Sequence, residues 1–144
     1  MTNSRGFTLI EILVVMVLIA VSGSLVYLSV GRSAEQKQGK LFAQEMIGLV
    51  KKARRTSLAF SRPVAFFISS ANRVCWVEGS EASLKIPEKV LVQAAGIAQV
   101  DADVHGVFFY PDGSSSGGEL TLSANGQPFF VFRVDILTGL VKPG

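Results

Sequence analysis

The longest apolar stretch of the chain lies near its start. Ile12–Val30 contains 19 residues without a charged side chain. As an α-helix rising about 1.5 Å per residue, this stretch would be about 28 Å long, close to the roughly 30 Å thickness of a hydrocarbon core. It is longer than the apolar run of a secretory signal, and no A-x-A-like cleavage site closes it. The pattern therefore predicts a helix over residues 7–30 that spans a membrane once.

The helical pattern continues beyond this stretch with an amphipathic period. Apolar or small residues recur at spacings of three and four, which is typical of a helix with one buried face. They are Phe42, Met46, Leu49, Val50, Ala53 and Ser57. No proline occurs before Pro63, so we expect one helix from about Phe7 to about Ala59. Its weakest points should be Gly31 and Gly39, because glycine is a poor helix former.

After Pro63 the pattern changes to short segments rich in Val, Phe and Leu, which is typical of β-strands. Six strands are predicted: Val64–Ser69, Arg73–Glu78, Lys89–Gln93, Val104–Tyr110, Glu119–Ala124 and Gln127–Asp135. Asn125-Gly126 favours a type I′ turn, so the last two strands should form a hairpin. Asp112–Gly118, rich in Ser and Gly, is expected to be a flexible loop. These elements predict an α+β fold, with a long helix packed on an antiparallel β-sheet domain.

Composition and charge change this picture little. The 144 residues carry a net charge of +3, which does not by itself indicate a nucleic-acid partner. The basic run Lys51–Arg55 wraps around the helix without interleaved aromatic residues. This favours a solvated helix face, or contact with acidic neighbours, over phosphate binding. Cys75 is the only cysteine, and its apolar neighbours indicate a buried strand residue.

The residues in front of the apolar stretch form a specific motif. It reads Ser-Arg-Gly-Phe-Thr-Leu-Ile-Glu over residues 4–11 and resembles the prepilin cleavage motif of type IV pilins and type II secretion pseudopilins. The resemblance implies cleavage between Gly6 and Phe7 by the prepilin peptidase, and N-methylation of Phe7. It also implies a cytoplasmic leader and a periplasmic C-terminal domain on a single-pass inner-membrane anchor. The chain then divides into a leader (1–6), a transmembrane and assembly helix (7–30), its amphipathic continuation (31–62) and an antiparallel β domain (63–144).

Glu11 is the single acid of the predicted membrane helix. A carboxylate near the centre of such a helix costs about 2.5–3.5 kcal/mol and less near its start, and residues of this kind suggest a function. The resemblance implies that Glu11 pairs with the N-terminal amine of a neighbouring subunit, where a low dielectric strengthens the attraction. Glu11 is therefore expected to set the axial register during assembly. A carboxylate that only reaches the lipid headgroups is the simpler alternative.

Two segments of the β domain resemble one group within this superfamily more specifically. They are Phe-Phe-Tyr-Pro-Asp-Gly-Ser-Ser-Ser-Gly-Gly at 108–118 and Val-Asp-Ile-Leu-Thr-Gly-Leu-Val at 134–141, and they resemble the H-type minor pseudopilins of the GspH/FimT family. The resemblance implies a structural subunit, near the tip of the periplasmic pseudopilus, that supports export of folded proteins across the outer membrane. Its partners would be other pseudopilins or pilins, the prepilin peptidase and the inner-membrane assembly platform. A FimT-like minor type IV pilin for pilus assembly, adhesion or DNA uptake is the alternative.

No catalytic, cofactor or metal site is predicted. The Ser/Gly loop lacks the Lys-Ser/Thr ending of a P-loop and joins two strands. His105 is the only histidine, which supports neither a His/Cys metal site nor a Ser/His/Asp arrangement. Asp101 and Asp103 lack further Ca²⁺ ligands and are interpreted as part of a polar loop. A membrane-tethered enzyme is therefore the least supported alternative.

Overall fold

One uninterrupted helix forms the first part of the fold. The computed structural model describes residues 8–144, except that for residues 23–36 it describes the helix backbone and not the side chains. Helix α1 is Leu9–Phe60. It ends where Ser61 adopts a φ of 49°, a left-handed conformation that commonly closes helices. The predicted helix end near Ala59 is thus confirmed, and neither Gly31 nor Gly39 interrupts the helix.

The chain divides into two compact units, Met1–Lys37 and Gln38–Gly144. The second unit contains the C-terminal part of α1 and all nine strands found in the described residues. The strands are β1 (Val64–Ser69), β2 (Val74–Val77), β3 (Ser83–Lys85), β4 (Val90–Ala95), β5 (Ala98–Asp101), β6 (Val104–Phe109), β7 (Gly118–Ala124), β8 (Gln127–Val134) and β9 (Val141–Pro143). Every residue of the hydrophobic core in the described part of the chain belongs to this second unit.

The strands form two antiparallel sheets. The five-stranded sheet has the order β3-β2-β1-β6-β5, and the four-stranded sheet has the order β4-β7-β8-β9. The prediction of an α+β fold with a helix on antiparallel strands is confirmed. The division into two sheets was not predicted, because strands that are neighbours in sequence, such as β3 and β4, belong to different sheets.

The predicted hairpin forms as expected. Ala124 pairs with Gln127, and the residues between them, Asn125 and Gly126, have φ angles of 53° and 76°. Positive φ at both central positions is what a type I′ turn requires. Just before the turn, the pairing of β7 with β8 has a register shift between Leu122 and Ser123.

The strand predictions fail at three short elements. All six predicted strands are present. Val64–Ser69 has the predicted ends, whereas the other five are shifted at one or both ends; the predicted Lys89–Gln93, for example, is Val90–Ala95. The missed strands β3, β5 and β9 have three, four and three residues. Strand β5 alternates apolar and polar residues over only four positions, all of them exposed, which is the shortest run from which a strand could be predicted.

The predicted apolar stripe of α1 faces the core. Phe42, Met46, Val50 and Ala53 are at most 3% exposed, and full burial of a side chain such as Met46 contributes about 1.5–3 kcal/mol. Gly39 has a packing role, because a Cβ there would lie 2.9 Å from Cζ of Phe129 on β8. The ring of Phe129 would therefore have to move to admit a side chain at position 39.

Candidate assembly site

The start of α1 is capped by a threonine. The backbone N–H of Glu11 lies 3.1 Å from the carbonyl oxygen of Thr8 and 3.4 Å from its Oγ1. A threonine three residues before a glutamate is the sequence of a capping box, which satisfies N–H groups that have no partner inside the helix. The predicted processing residues Gly6 and Phe7, and the predicted helix start at Phe7, lie outside the described residues.

The first turns of α1 expose an apolar surface. Nearly all large apolar side chains from Leu9 to Val21 are about half exposed or more, from 48% at Val15 to 83% at Leu9. The hydroxyl of Ser22 donates to the carbonyl oxygen of Leu18 at 2.7 Å, so this polar group is satisfied within the helix. A helix that is apolar on all sides is stable only in apolar surroundings.

Within the described residues, no helix segment is both long enough and apolar enough to qualify as a membrane span. The predicted span over 7–30 includes Phe7 and the side chains of residues 23–30, which lie outside the described part of the chain.

Glu11 stands on this apolar surface in the first turn of α1. It is exposed, and its contact with Thr8 involves its backbone N–H and not its carboxylate. A negative charge in the first turn also interacts favourably with the helix dipole. The carboxylate is therefore accessible to a cation from outside this chain.

The basic run of α1 is divided between two environments. The Nζ of Lys52 donates to Oγ of Ser80 at 2.9 Å, and Nε of Arg54 donates to the carbonyl oxygen of Thr138 at 2.9 Å. Lys51 and Arg55, one helical turn apart, are exposed. Two of the four basic side chains, which were expected to be solvated or to contact acidic neighbours, therefore form hydrogen bonds within the domain.

The Ser/Gly loop is not the flexible segment expected from its composition. Ser115 is 3% exposed; its N–H donates to the carbonyl oxygen of Ile136 at 2.8 Å and its hydroxyl donates to that of Asp135 at 2.9 Å. The N–H of Ser116 donates to the carbonyl oxygen of Phe108 at 2.8 Å. These bonds join the loop to β6 and to the 135–140 turn. The prediction was wrong because serine satisfies backbone groups at short range as readily as it solvates a loop.

Asp135 organises the 135–140 turn. Its Oδ1 accepts hydrogen bonds from the N–H groups of Leu137 and Thr138 and from the Thr138 hydroxyl, at 3.0–3.1 Å. Its Oδ2 lies 2.6 Å from Nζ of Lys142. The Lys142 ammonium and the hydrogen bonds from Thr138 hold the pKa of Asp135 well below its usual range. Thus the carboxylate is ionised when the turn is formed.

The close contact between Arg54 and this turn depends on a glycine. Gly139 has a φ of 60°, and a Cβ there would lie 2.7 Å from the carbonyl oxygen of Gly113 and 3.1 Å from Nε of Arg54. The N–H of Gly139 donates to the carbonyl oxygen of Asp135 at 2.8 Å. Helix, Ser/Gly loop and turn therefore meet at one point that has no room for a side chain.

The remaining candidate residues are in structural positions. Cys75 is buried on β2, where burial raises the pKa of its thiol to about 12. His105 lies on β6 opposite Ile68 of β1. Asp101 ends β5, so the expectation that it belongs to a loop was wrong, and Asp103 lies in the following turn. Among the described residues, no group of three acidic, His or Cys side chains is placed to hold a metal ion.

One positioning residue had no signal in the sequence. Arg73 adopts a φ of 51°, and its Nη2 donates to the carbonyl oxygens of Pro87 and Val90. It thereby joins the start of β2 to the start of β4, across the two sheets. Its Nε is buried and has no hydrogen-bond partner in the described part of the chain.

The helix and the two antiparallel sheets give the chain a pilin-like fold. Its fold is similar to that of the type IV minor pilin FimU of Pseudomonas aeruginosa, with a TM-score of 0.59 and 12% identity, over 76% of this chain and 90% of that chain. A second crystal form of FimU gives a TM-score of 0.57 at 11% identity, over 73% and 91% of the two chains.

Sequence comparisons then give the family. The family model described as Prokaryotic N-terminal methylation motif matches residues 1–27, and the model described as Type II transport protein GspH matches residues 43–139. The chain therefore belongs to the GspH family of type II transport proteins. It is also 26% identical to Type II secretion system protein H of Xanthomonas campestris pv. campestris, over 97% of this chain and 83% of that protein.

Proposed function

We propose that this chain is a minor pseudopilin of the type II secretion system. Its role is structural: it is a subunit of the periplasmic pseudopilus, near the tip, and supports export of folded proteins across the outer membrane. The observation that carries the proposal is the exposed apolar surface of Leu9–Val21 with its one carboxylate. Such a surface requires a bilayer or neighbouring helices, and membership of the GspH family favours a pseudopilus as the assembly.

Processing prepares the chain for this role. The prepilin peptidase cleaves between Gly6 and Phe7, and Phe7 is N-methylated. Residues 7–30 then anchor the subunit in the bacterial inner membrane by a single pass, with the C-terminal domain in the periplasm. The inner-membrane assembly platform adds the subunit to other pseudopilins. The match of the N-terminal methylation motif to residues 1–27 supports this order of events.

Glu11 provides the contact that aligns one subunit with the next. Its carboxylate makes no ion pair within the described residues, and it stands among apolar side chains that must be buried. An unpaired carboxylate in such surroundings is costly, so a cation has to accompany it. The N-terminal amine of a neighbouring subunit meets this need at a defined height along the filament.

The first experiment replaces Glu11 in a strain that secretes through this system. Glu11→Ala and Glu11→Gln both keep the backbone N–H that contacts Thr8, so the helix start is preserved. We expect normal cleavage, seen as a mature chain starting at Phe7 by mass spectrometry, but little recovery with other minor pseudopilins and reduced secretion. Ser22→Ala is the matched control, since its hydroxyl bonds only to its own helix in the described residues.

Two results would contradict this proposal. Normal assembly of Glu11→Ala would remove Glu11 from the subunit contact. An intact Met1, or a mature terminus anywhere other than Phe7, would exclude the processing step. Because cleavage and assembly are measured separately, the failure of one does not obscure the other.

A minor type IV pilin is the alternative function, and the fold-level likeness to FimU favours it. A deletion strain separates the two functions: loss of secretion supports the pseudopilin, and loss of surface pili supports the pilin. A role in DNA uptake adds a further expectation. Lys52 and Arg54 bond within the domain, whereas Lys51 and Arg55 are exposed. Duplex DNA binding with a steep salt dependence would favour the alternative.

A further inference from the structure

The four edge strands of the two sheets are not equally protected. An edge strand presents unpaired N–H and C=O groups to other chains, and proteins protect such edges with short strands, charges, prolines or bulges. Strands β3 and β9 have three residues each, with Lys85 on β3 and Lys142 and Pro143 on β9. Strand β5 has a register shift and ends at Asp101. Three of the four edges are therefore unsuited to strand pairing.

Strand β4 has none of these protections. Its six residues, Val90–Ala95, include no charge and no proline. It pairs with β7 over its whole length without a register shift. Its outward-facing side chains include Leu91, which is 54% exposed. A regular, uncharged and apolar strand at a sheet edge is the kind of element that accepts another strand.

The structure shows which backbone groups of β4 point away from β7. The N–H of Val90 donates to the carbonyl oxygen of Pro87 at 2.9 Å, and its carbonyl oxygen accepts from Nη2 of Arg73 at 3.0 Å. Val90 thus directs both groups to the open side. Successive residues of an antiparallel strand direct these groups to alternate sides, so Val92 and Ala94 do the same. In the described part of the chain, their outward groups have no hydrogen-bond partner.

We propose that β4 pairs in antiparallel fashion with β4 of a second copy of this chain, with Val92 opposite Ala94 of that copy. This register pairs the two open N–H groups and the two open carbonyl groups of each strand, because two residues that face each other in this way exchange both hydrogen bonds. It also places Val90, whose groups are already bonded, opposite Gly96. Gly96 follows the last residue of β4 and has a φ of 66°, so the pairing ends there.

The absence of charge favours a second copy as the occupant. When a strand pairs with itself about a two-fold axis, a charge at the axis faces its own duplicate, and like charges that face each other destabilise a sheet. Strand β4 avoids this repulsion, and it offers no charge pattern by which a different strand could be selected. On its outer face, Gln93 would lie opposite Gln93, and Leu91 opposite Ala95. This pairing does not depend on the proposed secretory role.

Cysteine trapping tests the pairing and its register. Residues directly opposite each other have Cβ atoms about 4.5–5.5 Å apart, near enough for a disulfide after small adjustments. The full-length Gln93→Cys chain, purified in a mild detergent and gently oxidised, should form a covalent dimer on a non-reducing gel. The native thiol gives little background, because Cys75 is buried and its pKa is raised to about 12.

Cysteines at other positions test whether the two strands pair in the proposed register. Ala95→Cys alone should stay monomeric, whereas a mixture of Ala95→Cys and Leu91→Cys should cross-link. Gln99→Cys on the protected edge β5 is the matched control and should give several-fold less dimer than Gln93→Cys. Adding Gln93→Lys to the Leu91/Ala95 cysteine pair should reduce its cross-linking, because two ammonium groups then face each other.

The contrary outcomes are equally specific. Dimer from Gln93→Cys that does not exceed the Gln99→Cys level would overturn the proposal. Equal cross-linking of Ala95→Cys alone would overturn the proposed register. Trapping of Gln93→Cys on a different protein in intact membranes would show that the edge takes a foreign strand, which also overturns the pairing of two copies.

Discussion

We expect the replacement of Gly139 by alanine to lower the free energy of unfolding by more than the cost of a left-handed backbone conformation alone. Gly139 and Gly126 have positive φ angles of 60° and 76°. An alanine at either position adopts a left-handed conformation that costs about 1–2 kcal/mol. The two sites differ in their surroundings. A Cβ at Gly126 meets nothing within 4 Å, whereas a Cβ at Gly139 would lie 2.7 Å from the carbonyl oxygen of Gly113.

The extra cost at Gly139 can be worked out from the contacts it disturbs. A backbone oxygen cannot rotate away, so the turn itself has to move. Overpacking of this kind costs about 1–3 kcal/mol. Movement of the turn also weakens the hydrogen bond from Arg54 to Thr138, and a typical hydrogen bond contributes about 0.5–1.5 kcal/mol. We therefore expect Gly139→Ala to lose about 3–5 kcal/mol and Gly126→Ala about 1–2 kcal/mol.

Urea unfolding of the fragment from Gln38 onwards measures this difference. The fragment contains the whole described core, and circular dichroism follows α1 and the sheets together. The two variants should share the slope of the wild-type fragment and differ in their midpoints. If the two free energies of unfolding agree within about 0.5 kcal/mol, which is the usual spread of such comparisons, the glycine serves only backbone geometry and the close approach is irrelevant.

Two further predictions concern the same end of the domain. Ser57→Ala should lower the free energy of unfolding by about 1–3 kcal/mol in the same urea assay, because the buried Ser57 hydroxyl donates to the carbonyl oxygen of Phe109 at 3.0 Å and the variant loses this donor. An unchanged midpoint would show that this carbonyl is satisfied elsewhere. The pKa of Asp135 is lowered in the folded state, so its stabilising effect is present above the unfolded pKa of about 3.9 and is lost as the pH falls through the lower folded value. Thermal unfolding should accordingly show Asp135→Asn less stable than the wild type near neutral pH, with the gap narrowing in strong acid; a constant gap would rule out ionisation as the cause.

The features that the sequence predicts well are those that depend on local periodicity. The spacing of Phe42, Met46, Val50 and Ala53 predicts both the helix and its buried face, since both follow from 3.6 residues per turn. Asn125-Gly126 predicts its turn because few other dipeptides accept two positive φ angles. The predicted roles of Gly6, Phe7 and Glu11 rest on a motif, and they stay predictions to be tested by the experiments above.

The features that the sequence does not predict depend on distant partners. Ala98–Asp101 alternates apolar and polar residues over only four positions and buries none of them, so its strand depends on pairing with β6. The role of Arg73 depends on two carbonyls presented by a later segment. The Ser/Gly loop is fixed by the 135–140 turn, more than 15 residues further along. Local composition cannot predict such contacts, because they form only after the chain has folded back.

The hydrogen bond between Arg54 and Thr138 affects when the domain can fold during synthesis of the chain. It joins residues 84 positions apart, and Met46 and Val50 of the helix share one hydrophobic core with residues of β7 and β8. Contacts at such sequence separation slow folding. A chain still emerging from the ribosome has therefore completed its helix long before the last strands exist, and it exposes the apolar stripe for most of its synthesis. Truncation before β7 would make part of that temporary exposure permanent and mark the chain for degradation rather than assembly.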